Sequence, residues 1–299
     1  MTDQRENLWP FAGALLGVAF LSLMDAFMKE AALAAGAFSA AILRSGIATV
    51  IVTPIWLFQG GRWPQKSVLK LHIMRGTVSS IMALSFFYAL TKLPIAEAIA
   101  ISFVAPLIAL YLAAVLLHEK IRREAVAASV LGLIGTIIII GGRLGAADYD
   151  TQTLKGLAAI LFSAMLYAYN FIIIRRQALV SSPLEATTFL SGIAGLVLLV
   201  FAPWFFAFPP LDVMGSIAAA AALTVVGAFA ITWAYARAEA QALVPMEYSG
   251  FLWAALFGWL FFQEDVTLTT ICGTVLIVIG CWIAARKRPK VPQTEQSAI

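Results

Sequence analysis

Long apolar runs, separated by short polar connections, make up most of the chain. Each run has roughly 20 residues, which is enough to cross about 30 Å of hydrocarbon as an α-helix. Barrel strands are about 10 residues long and alternate apolar with polar positions, which these runs do not. Because backbone groups in lipid must be paired within the protein, the pattern predicts an all-α polytopic membrane protein. Its ten predicted transmembrane helices are 8–30, 38–58, 72–92, 95–117, 122–141, 154–175, 185–206, 213–236, 242–262 and 267–285.

The composition agrees with that class of protein. Of the 299 residues, 62% are hydrophobic and 12% are charged, whereas a soluble domain carries about 25% charged residues. The net charge of +4 lies mostly at the ends of the apolar runs, so it is a topology signal and not a nucleic-acid footprint. The expected surroundings are therefore a lipid bilayer, and no nucleic-acid partner is expected.

Lysine and arginine are divided unequally between alternate connections. One side holds Lys29, Lys92, Arg143 and Lys155. The other side holds Arg5, Arg62, Lys66, Lys70, Arg75, Lys120, Arg122, Arg123, Arg175, Arg176, Arg237, Arg286, Lys287, Arg288 and Lys290. Because positive residues favour the cytoplasmic side, we expect a bacterial-type inner-membrane protein with both termini in the cytoplasm. A cleaved signal peptide is the alternative for the first run, but Asp25 interrupts its apolar region.

The chain resembles itself after a shift of 145 or 146 residues. Residues 45–48 match residues 191–194 without a difference, and Glu119 matches Glu264 in the same inter-helix turn. Since five is odd, two five-helix repeats have inverted topology, which is a recurrent design of alternating-access transporters. We therefore expect a central cavity between the repeats. The predicted units are a first repeat at 1–147, an inverted second repeat at 148–286 and a polar cytoplasmic tail at 287–299.

Short motifs in both repeats resemble the EamA family of the drug/metabolite transporter superfamily. They are the turns Leu-His-Glu-Lys at 117–120 and Phe-Gln-Glu-Asp at 262–265, each followed by a glycine-containing helix. Leu-Arg-Ser at 43–45 is similar to the family as well. The resemblance implies ten helices and transport of small metabolites, and it is strongest to bacterial exporters of amino acids, including aromatic ones. The second repeat departs from the pattern, because Leu190 stands where the first repeat has Arg44.

Small residues at four-residue spacing are expected to bring helices 4 and 9 together near the axis between the repeats. The stripe on helix 4 is Ala105, Ala109 and Ala113, and its repeat partners on helix 9 are Gly250, Ala254 and Gly258. We interpret both stripes as packing features and not as ligand sites.

Polar and aromatic residues at repeat-related positions are the candidates for a substrate-binding site. Ser79 corresponds to Thr224, and Phe103 corresponds to Tyr248, so both pairs are expected near the repeat interface, where alternating-access sites lie. The structural alternatives are hydroxyls bonded to their own helix and ordinary aromatic packing. The full candidate set is Ser79, Met82, Phe86, Ser102, Phe103, Tyr167, Asn170, Thr224, Glu247 and Tyr248.

Asp25 and Arg44 are two of the charged residues inside predicted membrane helices. Charges in lipid are expensive and face a partner or a cavity. Both residues are expected about 9 Å deep on the same side, at a rise of about 1.5 Å per residue. We predict a structural ion pair that holds the first helical hairpin. The functional alternative is that one of the two grips a carboxylate or an ammonium group of the substrate.

We therefore expect an inner-membrane transporter that exports small amino-acid-like metabolites by alternating access. The alternatives are an exporter of aromatic cations, drugs or another metabolite and, from a different class, an integral-membrane enzyme. The sequence contains no H-E-x-x-H metal motif and no glycine-rich phosphate loop, the motifs that metalloproteases and nucleotide-driven machines use. Catalytic residues, cofactors and metals are accordingly not expected.

Overall fold

The structure, a computed structural model, describes residues 9–105, 108, 111–112, 123–144, 150–178, 180–235 and 249–285. Six helices in these ranges are long and apolar enough to cross a membrane. The described part of the chain is therefore a helical, multi-pass membrane protein. Its helices are α1 (Trp9–Ala35), α2 (Ala37–Phe58), α3 (Lys66–Leu90), α4 (Ile95–Ser102), α5 (Arg123–Leu144), α6 (Thr151–Ala178), α7 (Pro183–Phe205), α8 (Leu211–Tyr235), α9 (Ser249–Phe262) and α10 (Leu268–Ala285).

The first helix is longer than its sequence predicts. Lys29 and Glu30 suggest an end at residue 30, but α1 continues to Ala35. Lys29 is consequently a buried residue of the helix and not a charge of the following connection. Asp25 lies ten residues before the end of α1, or about 15 Å at the helical rise, which is deeper than expected.

The fourth helix is interrupted, although the sequence predicts a continuous helix at 95–117. α4 ends at Ser102, and Phe103 and Val104 form a turn. Pro106 explains the break, because proline has no amide hydrogen to donate to the carbonyl group of Ser102 one turn earlier.

The helix termini follow ordinary capping rules. Asp150 accepts hydrogen bonds from the backbone nitrogen and the hydroxyl of Thr153 at the start of α6, and these bonds lower the pKa of its carboxyl group. Ser182 caps α7 by accepting from the backbone nitrogen of Glu185. Gly36 alone separates α1 from α2, at a φ of 81°, a left-handed conformation that glycine adopts most easily.

Many of the contacts between helices recur when the two repeats are exchanged. α1 packs on α8, and its repeat equivalent α6 packs on α3. In the same way α2 contacts α8 as α7 contacts α3, and α1 contacts α9 as α6 contacts α4. The pairs α2–α7, α4–α9 and α5–α10 are each their own equivalents. The described helices of the two repeats therefore make many corresponding contacts.

The crossing of α1 with α8 and the corresponding crossing of α6 with α3 can be compared atom by atom. Gly17 of α1 meets Gly227 of α8 so closely that a Cβ atom on Gly227 would lie 3.1 Å from the carbonyl oxygen of Gly17. Shifts of 146 and 145 residues turn this pair into Ser163 and Met82. There the Ser163 hydroxyl donates to the carbonyl oxygen of Met82 over 2.9 Å. Small side chains hold both crossings close, as is usual between helices in lipid.

The small-residue stripe of α9 faces several neighbours. Gly250 lies against α1, where an added Cβ would be 3.4 Å from Val18 and 3.9 Å from the hydroxyl of Ser22. Ala254 is fully buried, and α9 also contacts α4. Ala109 and Ala113 of the predicted partner stripe lie outside the described residues. The expected approach of helices 4 and 9 is thus present, while α1 takes up part of the stripe.

Candidate functional site

Arg44 links the two halves through its guanidinium group. The side chain is half-buried on α2, and its Nη1 atom donates a hydrogen bond of 3.3 Å to Oγ1 of Thr224 on α8. The guanidinium carbon lies 5.3 Å from the centroid of the Phe87 ring on α3, within the range of a cation–π contact. Its buried Nε atom has no hydrogen-bond partner among the described residues. Arg44 therefore retains a donor that a bound anion can use.

Asp25 provides the opposite charge. It is half-buried on α1, and its charge interacts with that of Arg44. No ion pair between Asp25 and Arg44 occurs among the described residues. The ion pair predicted from the sequence stays a prediction. Residues of opposite charge thus lie on α1 and α2, which contact each other.

Ser79 and Thr224, which correspond by repeat, have different environments. Thr224 donates its hydroxyl to the carbonyl oxygen of Ala220 on its own helix over 2.8 Å while it accepts from Arg44. The Ser79 hydroxyl is buried and has no partner among the described residues. The sequence explains the difference, because the repeat equivalent of Arg44 is Leu190, which cannot donate. Ser79 is therefore a second polar group with unused hydrogen-bonding capacity.

On α6, the two candidate residues have opposite exposure. Asn170 is buried, with 4% of its surface exposed, whereas 36% of Tyr167 is exposed. The Oδ1 atom of Asn170 has no partner among the described residues. Because α6 packs against α3, Asn170 belongs to the same helix pair as Ser79.

The remaining candidates contribute less polar capacity. The Ser102 hydroxyl donates to the carbonyl oxygen of Ala98 over 2.9 Å. It is therefore bonded to its own helix, as expected for a hydroxyl with a structural role. Met82 and Phe86 are half-buried on α3, and Phe103 lies in the turn after α4. Glu247 and Tyr248 lie outside the described residues. Their role in the site stays a prediction.

A second cluster, the Lys29–Glu264 pair, lies where α1 approaches two inter-helix turns. Lys29 forms an ion pair with Oε1 of Glu264 and donates to the carbonyl oxygen of Leu93 over 2.7 Å. The other oxygen of Glu264 accepts from the backbone nitrogen of Ile95 over 2.8 Å. The Lys29 ammonium also lies 5.2 Å from the ring centroid of Phe262. Both charged groups are therefore bonded on several sides.

Local backbone features give Glu264 its position. Gln263 has a φ of 55°, a left-handed conformation in which the chain turns back at the end of a helix. The backbone nitrogen of Glu264 then donates to the carbonyl oxygen of Gly258 over 3.1 Å. A Cβ atom at Gly258 would lie 2.7 Å from Oε2 of Glu264. Glycine at this position thus leaves room for the carboxylate.

A third cluster joins α3, α6 and α7 at the opposite end of α3. Arg75 donates to Oε1 of Gln177, so the Gln177 amide nitrogen faces Nδ1 of His72 at 2.6 Å. His72 Nε2 then donates to Oε1 of Glu185, 2.9 Å away. The His72 ring is stacked on Phe189, with 4.7 Å between centroids. These contacts satisfy His72 within the protein and mark a structural junction of the three helices.

The sequence alone did not identify the second and third clusters. The sequence pattern places Lys29 with the charges at the end of the first helix, and it places Glu264 in a turn that matches Glu119 and resembles the family motif. The available signal was the spacing of Asp25 and Lys29, because residues four apart share a helix face. No group of three or more histidine, cysteine or acidic residues that could hold a metal occurs among the described residues.

The similarities of the chain to known proteins cover most of its length. A family model described as the EamA-like transporter family matches the chain twice, over residues 8–141 and 154–286. A solved crystal structure shares the fold with a TM-score of 0.61, at 22% identity, over 91% of this chain and 96% of that one.

Similar curated proteins are transporters of different solutes. The pseudopaline exporter of Pseudomonas aeruginosa is 25% identical over 92% of this chain and 95% of its own. The S-adenosylmethionine uptake transporter of Rickettsia prowazekii is 24% identical over 88% of each chain. The riboflavin transporter of Brucella anthropi is 25% identical over 78% of this chain and 82% of its own. Exporters and uptake systems both occur among these relatives.

Proposed function

Because the chain belongs to the EamA-like transporter family, and is thus a multi-pass membrane transporter, we propose that it exports a small amino-acid-like solute. The solute passes between two inverted repeats by alternating access. The helix contacts that recur in both repeats support this proposal, since alternating access exchanges the conformations of two equivalent halves around a site near the membrane midplane.

The observation that carries the choice of solute is the contact of Arg44 with Thr224 across the halves, with the acidic residue Asp25 on the neighbouring helix α1. An amino acid carries a carboxylate and an ammonium group. Arginine binds carboxylates through charge-assisted hydrogen bonds, and aspartate attracts ammonium groups. The free Nε donor of Arg44 fits the first role. Both charged groups of the zwitterionic end thus meet an opposite charge.

The apolar part of the solute is assigned to the surrounding aromatic residues. Phe86, Phe103 and Tyr248 are the candidates, and Ser79 and Asn170 offer hydroxyl and amide groups with unused capacity. We propose that helices 1, 3, 4, 6, 8 and 9 line the path. The relative that takes up S-adenosylmethionine supports a solute with an amino-acid end, whereas the riboflavin transporter illustrates how widely the substrates of relatives differ.

Solute flux in proteoliposomes tests the proposal directly. We expect phenylalanine to be transported about tenfold or more faster than phenethylamine, which lacks the carboxylate, or phenylpropionate, which lacks the ammonium group. The reason is that each analogue leaves one charge of the site without its partner, a loss of about 1.5–3 kcal/mol for hydrogen bonds to charged groups. Arg44→Gln is expected to remove the preference for phenylalanine over phenethylamine.

Two neighbouring serines provide a matched comparison. Ser79→Ala removes a buried hydroxyl that has no partner among the described residues and is expected to lower flux. Ser80→Ala removes a hydroxyl that donates to the carbonyl oxygen of Thr77 over 2.8 Å and is expected to leave flux unchanged. Tyr248→Ala is expected to change the preference among amino-acid side chains. If phenethylamine alone is transported and Arg44→Gln has no effect, the protein is an exporter of aromatic cations and the amino-acid proposal is wrong.

A further inference from the structure

We propose that the Lys29–Glu264 pair is a gate, which closes one end of the transport path in this structure and separates when that end opens. The gate controls access to the site described above, so it rests on the proposed passage of a solute between the halves. It assigns a transport role to two residues that lie outside the candidate solute site.

The position of the pair relative to Asp25 is the first observation. Lys29 follows Asp25 by four residues on α1, so the two side chains share one face of the helix. At about 1.5 Å per residue, Lys29 lies about 6 Å nearer to the end of α1 at Ala35. The Lys29–Glu264 pair is therefore interposed between Asp25 and that end of the helix. According to the distribution of positive residues, this is the periplasmic end.

The second observation is that the pair connects segments of both halves. Lys29 belongs to the first half and Glu264 to the second. Lys29 also donates to Leu93, and Glu264 accepts from Ile95, so the turn between α3 and α4 is included. Three segments that are distant in sequence are thus tied together at one point. Opening between the halves at this end requires these bonds to break.

The third observation concerns burial. Only 7% of the Lys29 side chain and 15% of the Glu264 side chain are exposed. A buried charge that loses its partner is strongly unfavourable, so a partly opened pair in a dry environment is disfavoured. Full opening admits water, which solvates both groups. The pair is therefore compatible with a bonded, closed arrangement and a hydrated, open one, but not with intermediates, as a two-state gate requires.

Labelling of a cysteine placed behind the pair tests the gate without any substrate. Ser22 lies seven residues before Lys29 on α1, about 10 Å further along the helix, and it is buried next to Gly250 of α9. Ser22→Cys is introduced after Cys272 and Cys281 have been changed to serine. A membrane-impermeant thiol reagent is added from the periplasmic side. We expect Glu264→Gln to raise the labelling rate about tenfold or more, because the ammonium group of Lys29 loses its carboxylate partner and the hydrated state then becomes more favourable.

Asp265→Asn is the matched control. It removes one negative charge from the adjacent, exposed residue of the same turn, and its labelling rate is expected to equal that of the parent. The exchange Lys29→Glu with Glu264→Lys is expected to return labelling part of the way to the parental rate, since opposite charges again face each other. Where Glu264→Gln does not accumulate in the membrane, Glu264→Asp, which shortens the side chain, is expected to raise labelling by a smaller factor.

Unchanged labelling in whichever Glu264 variant accumulates overturns the gate, and so does an equal rise in Asp265→Asn. A purely structural pair lowers the melting temperature without changing access to Ser22→Cys. The readout is independent of the solute. Faster labelling together with no amino-acid flux therefore rejects the proposed solute and leaves the gate. Amino-acid flux with unchanged labelling rejects the gate and leaves the proposed solute.

Discussion

At the scale of single residues, the two repeats differ most in the charges around Arg44. The repeat equivalents of Asp25 and Arg44 are Phe171 and Leu190, so the first half supplies both charges and the second half supplies apolar side chains. Thr224 of the second half takes part only as an acceptor for Arg44. A solute with a zwitterionic end and an apolar end matches this division. Its charged end is expected to lie against α1 and α2.

Asp25→Ala tests whether Asp25 also compensates the charge of Arg44 when no solute is bound. Breaking a fully buried pair costs about 3–5 kcal/mol, and a loss at or below the lower end of that range is expected here, since both side chains are half-buried. The measurement is the melting temperature of the purified protein in detergent. The exchange Asp25→Arg with Arg44→Asp is expected to recover part of the stability, but not transport, because the contacts of Arg44 with Thr224 and Phe87 are lost.

If Asp25→Ala melts at the parental temperature and only fails to transport, the structural pairing is rejected and the substrate role stands alone. The sequence could predict that Asp25 and Arg44 lie near each other, because buried charges need compensation. It could not predict that they stop short of contact. The guanidinium direction depends on Thr224 and Phe87, which come from distant parts of the chain. The Lys29–Glu264 pair could not be predicted for the same reason, because its two residues also lie far apart in the sequence.

At the scale of helices, close crossings at glycine hold the halves together. The crossing of α5 and α10 is the tightest kind, because a Cβ atom on Gly135 would lie 2.5 Å from the carbonyl oxygen of Gly273. The backbone at this crossing cannot move aside for an added Cβ atom as a flexible side chain can. In lipid, where no hydrophobic effect drives helices together, such contacts provide much of the association through packing.

Gly135→Ala is therefore expected to destabilise the protein by about 1–3 kcal/mol, the usual range for overpacking a close contact. Gly141 lies on the same helix with nothing within 4 Å of an added Cβ atom. Gly141→Ala is expected to be neutral or stabilising by up to about 1 kcal/mol, because alanine favours the helix. Thermal unfolding of both variants in detergent measures the difference. Equal melting temperatures would show that the α5–α10 crossing adjusts freely.

The sequence predicts the positions of the helices, because the lengths of the apolar runs determine them in lipid. It predicts the ends and interruptions of the helices less well. α1 continues past Lys29 and Glu30 since Glu264 and Leu93 satisfy Lys29 inside the protein, which the local sequence does not reveal. The break after Ser102 had a local signal in Pro106. This signal does not exclude a continuous helix at 95–117, because proline is tolerated within many membrane helices when neighbours satisfy the freed carbonyl group.

At the scale of the whole molecule, the repeat suggests where a second gate is. Lys29 corresponds to Arg175 at a shift of 146 residues, and Glu264 corresponds to Glu119 at a shift of 145. The sequence therefore carries the same pair of charges in both repeats. In an inverted arrangement, the second pair belongs to the opposite membrane side. One pair closed while the other is open is the chemical counterpart of alternating access.

The inverted arrangement itself is tested by reporter fusions that report membrane side. Fusions after Ser181 and after Gln293 are expected to read as cytoplasmic, and a fusion after Asp148 as periplasmic, because the positive residues of the connections favour that orientation. Alkaline phosphatase, which is active only in the periplasm, and green fluorescent protein, which is fluorescent only in the cytoplasm, give opposite signals at each point and control for expression. A cytoplasmic signal after Ser181 together with a periplasmic C-terminus would require an odd number of spans between these two points. Equivalent helices of the repeats would then no longer run in opposite directions, and neither alternating access nor the assignment of the Lys29–Glu264 gate to the periplasmic side would follow from the symmetry.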